Sequence, residues 1–383
     1  MARPVERRNK RFEKFHMQYD YMLLFMTIAI ALFGVLMIYS ASSYTASTSR
    51  FNNPYRFVTQ QLIGLGAGIV IMLFVSTRDY QLLLVKFGGK KKINLAQIFY
   101  LVALIMQTAV LFIGVEHNGA KRWLDFGITE IQPSEITKIA VIIFIAYAVY
   151  QSRRALDSWI GFAAIMFYVI WPFGLIAKEN MSTAIIVAVI AVGMCFVASK
   201  KVKYFFVTGI IVVVFFAFYL LLGEGFRMQR ILAWGDVENN PVGYQVLQGL
   251  YAIASGGVFG SGLGESMQKL GYIPEAYNDM IFAVIYEELG IVGAVLVMLA
   301  FLVLLWRIVV IACNAPDIFG SMICIGVLIH IAIQVILNIA VVTGSIPSTG
   351  VPLPFISYGG TAAMIMMAEM GLVLSVSNQV KLK

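Results

Sequence analysis

The chain has 383 residues, of which 60% are hydrophobic and 13% charged, and its formal net charge is +8. Soluble domains carry about 25% charged residues, so this composition excludes a soluble globular protein and requires lipid as solvent. The positive charge does not indicate a nucleic-acid partner, because membrane proteins concentrate Lys and Arg in their cytoplasmic loops.

The apolar runs predict the fold. A helix needs about 20 apolar residues to cross a bilayer. Ten such runs follow one another at 21–43, 57–76, 94–115, 133–151, 159–178, 181–198, 204–222, 280–306, 319–342 and 361–377. The first is preceded by basic residues and lacks a small-residue cleavage site, so it is not predicted to be a signal peptide. We predict an all-α integral membrane protein of about ten transmembrane helices, with residues 1–383 forming one membrane domain.

The distribution of basic residues predicts the orientation of these helices. With the N-terminus inside, 19 of the 28 Lys and Arg residues lie in inside segments, 8 lie in outside segments, and Lys138 lies within a span. Basic residues favour the cytoplasmic side. Both termini, including segment 1–20, are therefore predicted to be cytoplasmic, with 223–279 a large extracytoplasmic loop between helices seven and eight. Loops of this length are usually functional, so we expect the chemistry to face outward.

Cysteine and histidine give no indication of a metal site. The three cysteines lie within or beside apolar runs without paired spacing, which predicts neither a disulfide nor a thiolate site: Cys195, Cys313 and Cys324. The histidines are too scattered for a metal cluster: His16, His117 and His330.

The outward segment 116–132 places two cations beside an aromatic residue. Lys121 and Arg122 precede Trp123, a residue type that favours membrane interfaces. Two interpretations stay open for the cations: anchoring to lipid headgroups, and recognition of a phosphate or pyrophosphate group.

The fourth span opens with a proline and two ionisable residues. Pro133 suits the first turn of a helix. Glu135 and Lys138 are three residues apart, so they share a helix face and can pair.

The large loop ends at a carboxylate. Its glycine-rich stretch, 255–264, is interpreted as a tight re-entrant or surface turn, because no strand–helix unit surrounds it as a dinucleotide loop would require. Asp279 lies at the membrane edge where the next helix begins. It is either a helix N-cap or a general base at the bilayer surface.

Two glutamates follow inside the next span. Ionisable groups at membrane depth are costly and therefore suggest function. At about 100° per residue, Glu287 lies roughly 80° from Asp279 and Glu288 lies on the opposite side. Glu287 is thus expected either to share the outward-facing cavity or to form a buried salt bridge with a neighbouring helix.

The last outward segment, 346–361, is rich in proline and glycine. Irregular backbone at membrane depth is tolerated only where it is buried in protein or lines a polar cavity. We predict a non-helical re-entrant segment, which would serve either the site or the structure alone.

Taken in order, these segments resemble the SEDS family of membrane glycosyltransferases (shape, elongation, division and sporulation). The resemblance covers nearly the whole chain, and Gln268-Lys with Tyr272-Ile-Pro-Glu-Ala resembles the FtsW branch more than the RodA branch. Lys138 adds to the motifs that carry it: Gly119-Ala-Lys-Arg-Trp123, Gln132-Pro-Ser-Glu135, Gly260-Ser-Gly-Leu-Gly264, Pro274-Glu-Ala-Tyr-Asn-Asp279, Glu287-Glu-Leu-Gly290 and Thr349-Gly-Val-Pro-Leu-Pro-Phe-Ile-Ser-Tyr-Gly-Gly360.

The resemblance implies a ten-helix fold that polymerises lipid II into glycan strands at the outer face of the bacterial inner membrane. It implies that Asp279 is catalytic, and that the partners are a class B penicillin-binding protein and other divisome membrane proteins. It implies no certain cofactor, and a divalent cation stays open. The residues expected to bind substrate are Lys121, Arg122, Trp123, Glu135, Lys138, Arg227, Arg230, Glu287 and Ser357.

Two departures from the family pattern bear on the site. Asn278 stands where the family usually has Thr, which we expect to be tolerated. Asn180 stands at a position that is usually acidic, so either Glu179 substitutes or that position needs no acid. Septal wall synthesis is the expected role, with an elongation or sporulation polymerase as the alternative. A lipid II flippase and a non-catalytic divisome scaffold also stay open.

Overall fold

The computed structural model describes residues 19–48, 53–87, 93–117, 120–127, 130–201 and 225–380, and this part of the chain is mostly helical. Its α-helices in chain order are α1 (Tyr21–Thr48), α2 (Arg56–Thr77), α3 (Leu95–Ile113), α4 (Pro133–Gln151), α5 (Trp159–Glu179), α6 (Met181–Ala198), α7 (Gly225–Gly235), α8 (Tyr244–Gly256), α9 (Ile281–Asn314), α10 (Ile318–Val342) and α11 (Gly360–Ser377).

Nine helices of the described residues are long and apolar enough to span a membrane, namely α1–α6 and α9–α11. They confirm nine of the ten predicted spans, mostly to within a few residues, whereas 204–222 lies outside the described residues. Polar caps set several of the ends because their side chains accept a free helical N–H. These caps are Asn94 before α3, Ser158 before α5, Asn180 before α6 and Asp317 before α10.

Short strands are the departure from an all-helical chain. β1 (Lys86–Phe87) pairs with β2 (Ile93–Asn94), and β3 (Val115–His117), β4 (Ala120–Asp125) and β5 (Glu130–Ile131) form an antiparallel sheet. The second sheet packs its central strand against α3 and α4. It therefore holds Lys121 and Arg122 at one end of the helical bundle.

The core lies around α4 and α11, which are more buried than the other spans of the described residues. Close helix contact relies on glycine where α2 meets α11. A Cβ on Gly64 would lie 2.5 Å from the Cα of Gly360, so a larger residue there would force the helices apart. Small residues serve the same purpose at many membrane helix contacts.

A kink divides α9 at Gly290, whose φ of 66° and ψ of −168° suit glycine alone. The segment 256–264 inserts at the kink. The N–H groups of Ser261 and Gly262 donate to the carbonyls of Glu287 and Glu288, at 2.9 and 3.0 Å. On the other side, Ile291 and Val292 donate their N–H groups to the carbonyls of Gly257 and Val258, at 3.0 and 3.2 Å. The glycine-rich stretch is thus a turn, as predicted, and it satisfies the backbone groups that the kink exposes.

Polar contacts group the loops at two opposite ends of the bundle. At one end, Asp317 accepts hydrogen bonds from Tyr80 and Gln81, and Gln379 donates to Asp79. All of these residues belong to segments predicted to be cytoplasmic. At the other end lie the segments predicted to be extracytoplasmic, and the candidate site is built from them.

Candidate functional site

Asp279 lies in the turn just before α9 and is partly buried. Met280 occupies the N-cap position, and the helix start has no side-chain cap, so the N-cap interpretation of Asp279 is wrong. The Asp279 carboxylate instead accepts a hydrogen bond on Oδ1 from Nε2 of Gln245 in α8, at 3.1 Å. The side chain of Asp279 is therefore held by the loop helix α8 and does not cap α9.

The backbone that carries Asp279 is held at three consecutive carbonyls. Each one accepts a hydrogen bond from the C-terminal third of the chain. The donors are the N–H of Tyr358 to Tyr277 at 2.9 Å, Oγ of Ser357 to Asn278 at 2.7 Å, and Nδ2 of Asn338 to Asp279 at 2.7 Å. Buried polar groups of this kind fix one conformation because leaving any of them unpaired is costly.

The irregular segment 343–359 forms the facing wall, as its prolines and glycines predict. Ser357 is buried, accepts the N–H of Leu353 at 2.8 Å and donates to the Asp279 turn, so its contacts in the structure are internal. A Cβ on Gly350 would lie 3.9 Å from Oδ2 of Asp279. That distance is an ordinary van der Waals contact, so the wall lies next to the carboxylate, and glycine suits position 350 because its φ is +66°.

Two arginines share the electrostatic environment of Asp279. Arg230, in α7, attracts the Asp279 carboxylate and donates to the Ser348 carbonyl at 3.3 Å. Arg122, in β4, lies near enough to Arg230 that, after burial, the repulsion between them lowers the pKa of Arg122 below its usual range. Burial likewise lowers the pKa of Arg230, and Asp279 opposes that change. Arg230 thus lies between the Asp279 carboxylate and Arg122, and Glu179 partly offsets the charge of Arg122.

Burial raises the pKa of the Asp279 carboxyl from 3.8 to about 6. The carboxylate of Glu275 acts in the same direction, while the Gln245 hydrogen bond and the Arg230 charge oppose it. A carboxyl group with this pKa is ionised at neutral pH and is a stronger base than an exposed aspartate. The arrangement suits a group that removes a proton near pH 7.

Glu179 connects the cation-bearing strand to the end of α5. Its carboxylate accepts the backbone N–H of Lys121 at 2.9 Å, and its carbonyl accepts Nε of Arg122 at 3.0 Å. The neighbouring Asn180 caps α6 through the N–H of Thr183. In this chain, therefore, the acidic side chain that reaches β4 comes from Glu179, and Asn180 has a structural contact.

Glu135 and Lys138 form the predicted pair, with Nζ and Oε1 2.9 Å apart and Lys138 only 1% exposed. Glu287 is buried and accepts from the Ser266 hydroxyl and from the N–H of Met267 at 2.9 Å. These contacts tie Glu287 to the 266–268 turn and not to Asp279. The salt bridge expected at this position belongs to Glu288, which binds Lys269 at 2.7 Å.

For the remaining predicted residues, the structure gives position or exposure and few contacts. Trp123 follows Arg122 in β4 and is partly exposed, and Lys121 is also partly exposed. The side chain of Arg227 lies outside the described residues. Two residues of the site were not assigned from the sequence, namely Gln245 and Asn338. A polar amide within an apolar span was the available signal for Asn338, and Gln334 in the same span carries the same signal.

The described residues contain no group of three or more His, Cys, Asp or Glu side chains placed to hold a metal ion. Near Asp279 the second carboxylate is Glu275, whose Oε2 accepts a hydrogen bond from Nδ2 of Asn278 at 2.6 Å. The carboxylates near the site are therefore Asp279 and Glu275, with Arg230 beside Asp279.

Comparisons with known proteins cover nearly all of the chain. Stage V sporulation protein E of Bacillus subtilis is 36% identical over 94% of this chain and 96% of its own length. The probable peptidoglycan glycosyltransferase FtsW of Trichlorobacter lovleyi is 36% identical over 95% of this chain and 94% of its own.

Solved structures share the fold at 24% identity. A chain of a peptidoglycan synthase complex, described as coordinating polymerization and crosslinking, matches with a TM-score of 0.78 over 94% of this chain and 98% of its own. The rod shape determining protein RodA of Thermus thermophilus matches with a TM-score of 0.69 over 96% and 99%. The profile of the FtsW/RodA/SpoVE family, described as cell cycle protein, matches residues 20–382. The chain therefore belongs to the FtsW/RodA/SpoVE family.

Proposed function

We propose that this protein is a peptidoglycan glycosyltransferase that polymerises lipid II at the outer face of the bacterial inner membrane. The observation that carries the proposal is the Asp279 carboxylate, which is partly buried, has a pKa of about 6 and lies in one cluster with Arg230 and Arg122. The FtsW relative bears the name of this activity.

The reaction would be an inverting glycosyl transfer. The 4-hydroxyl of the incoming lipid II sugar attacks the anomeric carbon of the growing strand. Asp279 removes the hydroxyl proton as the new C–O bond forms. The bond to the lipid pyrophosphate breaks, and its electron pair leaves with the pyrophosphate. The positive charges of Arg230 and Arg122 would offset the charge that develops there.

The proposed partner is a class B penicillin-binding protein that crosslinks the new strands. Support comes from the shared fold with a chain of a peptidoglycan synthase complex that coordinates polymerization and crosslinking. The proposed role is septal synthesis together with other divisome proteins. The loop motifs resemble those of the FtsW branch, and several relatives are named FtsW. A fluorescent fusion that spread along the side wall and avoided the septum would contradict this role.

The decisive variant is Asp279→Asn, assayed as polymerisation of detergent-solubilised lipid II, where no translocation across a membrane is needed. An amide cannot accept the proton, so the rate should fall about 10²- to 10⁴-fold. Folding should survive. Because the pKa of Asp279 is raised in the folded state, its ionised form costs stability above about pH 6, and an uncharged residue avoids that cost. The melting temperature at neutral pH should stay equal or rise.

Asp236→Asn is the matched control, since Asp236 is an exposed aspartate in the same loop whose carboxylate binds Asn239. It should polymerise at the unmodified rate. Substantial polymer from Asp279→Asn would refute the base assignment. No polymer from the unmodified protein, with its partner present, would favour the flippase or scaffold alternative.

A further inference from the structure

Asn338 lies inside α10 and is fully buried, yet its amide reaches the candidate site. Nδ2 donates to the carbonyl of Asp279 at 2.7 Å and to the carbonyl of Val351 at 2.9 Å. One side chain therefore joins the turn that carries the carboxylate to the segment that faces it. Burying an amide in an apolar helix is costly unless it is hydrogen-bonded, so these two bonds account for the presence of Asn338 at this depth.

The chemistry of the side chain matches the task closely. An amide NH₂ group offers two hydrogens, and each of the two carbonyls takes one. Oδ1 of Asn338 has no hydrogen-bond partner in the described part of the protein, so the role of the side chain lies with its donors. Neither a leucine nor a single hydroxyl could satisfy both carbonyls.

The second carbonyl matters because of its neighbour. Val351 follows Gly350, whose open side faces Oδ2 of Asp279. Asn338 consequently fixes the spacing between the carboxylate and the wall opposite it. Gln245 acts separately, because its Nε2 donates to Oδ1 of Asp279 at 3.1 Å and to the carbonyl of Pro274 at 3.5 Å, and to neither carbonyl that Asn338 binds.

We propose that Asn338 is the positioning residue that sets the location of the Asp279 carboxylate by holding both walls of the site. The inference rests on the proposed function of Asp279 as a general base. A base must lie within hydrogen-bond reach of the proton it removes, and a displacement of about 1 Å can cost about a hundredfold in rate. Asn338 touches no reacting atom, so its effect should appear in the chemical step and not in substrate binding.

The test compares Asn338→Leu with Gln334→Leu. Gln334 lies one turn earlier in α10, is equally buried, and makes no hydrogen bond to residues 277–279 in the described part of the chain. For Asn338→Leu, kcat should fall about tenfold to a hundredfold while KM for lipid II stays within about twofold. Gln334→Leu should keep the unmodified kcat.

Backbone deuterium exchange of the peptide 273–282 gives a readout that does not depend on activity. Exchange there should be faster in Asn338→Leu than in Gln334→Leu, because the former leaves the carbonyls of Asp279 and Val351 without their donor. If Asn338→Leu fails to fold, Asn338→Ser retains one donor, and it should show a smaller loss of kcat with the same direction of exchange.

Full kcat together with unchanged exchange in a folded Asn338 variant would overturn the inference. A fall in kcat that Gln334→Leu reproduces would also overturn it, since the effect would then be general to α10. Failure of the proposed function is distinguishable, because it would remove polymer from the unmodified protein while the exchange comparison still decides whether Asn338 holds the turn.

Discussion

Asp279 is the residue at which opposing electrostatic effects meet. Burial and Glu275 raise its pKa, whereas Gln245 and Arg230 lower it, and the balance lies at about 6. A carboxylate without the amide and the guanidinium would be protonated at neutral pH more often. The site therefore combines a strong base with neighbours that keep it ionised.

The pH profile of polymerisation should report this balance. The base must be ionised to act, so kcat/KM should fall as the pH drops through about 6. Gln245→Leu removes a hydrogen bond that lowers the pKa, so the acid limb should move to higher pH. Activity lost at about pH 6 should then be largely recovered at about pH 8. Measuring kcat/KM between about pH 5 and pH 9 tests both statements.

Gln248→Leu is the control for this profile, because Gln248 lies one turn further along α8. Its acid limb should coincide with that of the unmodified protein. An acid limb that stays in place, or moves to lower pH, in Gln245→Leu would contradict the account of Asp279.

Asp279, Arg122 and Arg230 were predicted separately, from two outward segments, and the structure brings Arg230 close to both of the others. The N-cap alternative failed because the chain turns once more before α9 begins. Gln245 and Asn338 escaped assignment because their function depends on which backbone atoms face them. That information belongs to tertiary packing and not to the local pattern.

At the scale of the elements, buried ion pairs connect the parts of the bundle. Glu135–Lys138 lies within α4. A hydrogen bond between Nδ1 of His330 and Oε2 of Glu369, at 2.8 Å, joins α10 to α11. The Lys269–Glu288 pair joins the loop before α9 to α9 itself, and it also binds α1, since Ser40 donates to Glu288 and accepts from Lys269. It therefore fixes the large loop against two membrane helices.

Removing one partner of the Lys269–Glu288 pair should destabilise the protein more than replacing both partners with uncharged residues. Lys269→Met leaves a buried carboxylate without its cation, which should lower the free energy of unfolding by about 3–5 kcal/mol. Lys269→Met combined with Glu288→Gln removes the uncompensated charge and should recover most of that loss. Thermal unfolding of the purified variants in detergent measures both. If the double variant were no more stable than Lys269→Met, the loss of stability would not come from leaving the Glu288 charge without its cation.

Helix bounds were predictable because a continuous apolar run and a polar cap each leave a local signature, as at Asn180 and Asp317. The strands were not predicted, since β3–β5 are held by pairing between short polar segments without alternation. The kink at Gly290 was also missed. The predicted span continues through Gly290 in spite of the two glutamates before it, and the segment that stabilises the kink lies some thirty residues earlier.

At the scale of the whole molecule, the two ends of the bundle separate the predicted inside and outside segments. The membrane orientation of those ends stays a prediction from the basic residues. Asp20 and Arg307, at the start of α1 and late in α9, form a salt bridge at 2.5 Å, which places two predicted inside segments together. If the spans alternate in direction, all predicted inside segments must lie at the same end of the bundle, as these two do. A labelling experiment can show which end faces the cytoplasm.

Two exposed positions serve as reporters of orientation. Glu238 is exposed in the large loop, and Cys313 is exposed in the last turn of α9. In Glu238→Cys with Cys313→Ser, an impermeant thiol reagent should label intact cells. In the unmodified protein, Cys313 should be labelled only after lysis. The reverse pattern would invert the topology and place the candidate site on the cytoplasmic side.

At the kink in α9, two sets of hydrogen bonds compete for the same backbone groups. A straight helix would pair the carbonyls of Glu287 and Glu288 with the N–H groups of Ile291 and Val292, whereas in the structure the 256–264 segment has taken all four. Glycine at 290 can adopt both the helical conformation and the kinked one. The kink therefore persists only while the hydrogen bonds from segment 256–264 are more stable than the helical hydrogen bonds they replace. A Cβ on Gly260 would lie 2.1 Å from the Glu288 carbonyl oxygen. A single methyl group at position 260 would displace segment 256–264 from the kink, and the two helical hydrogen bonds across Gly290 could then form.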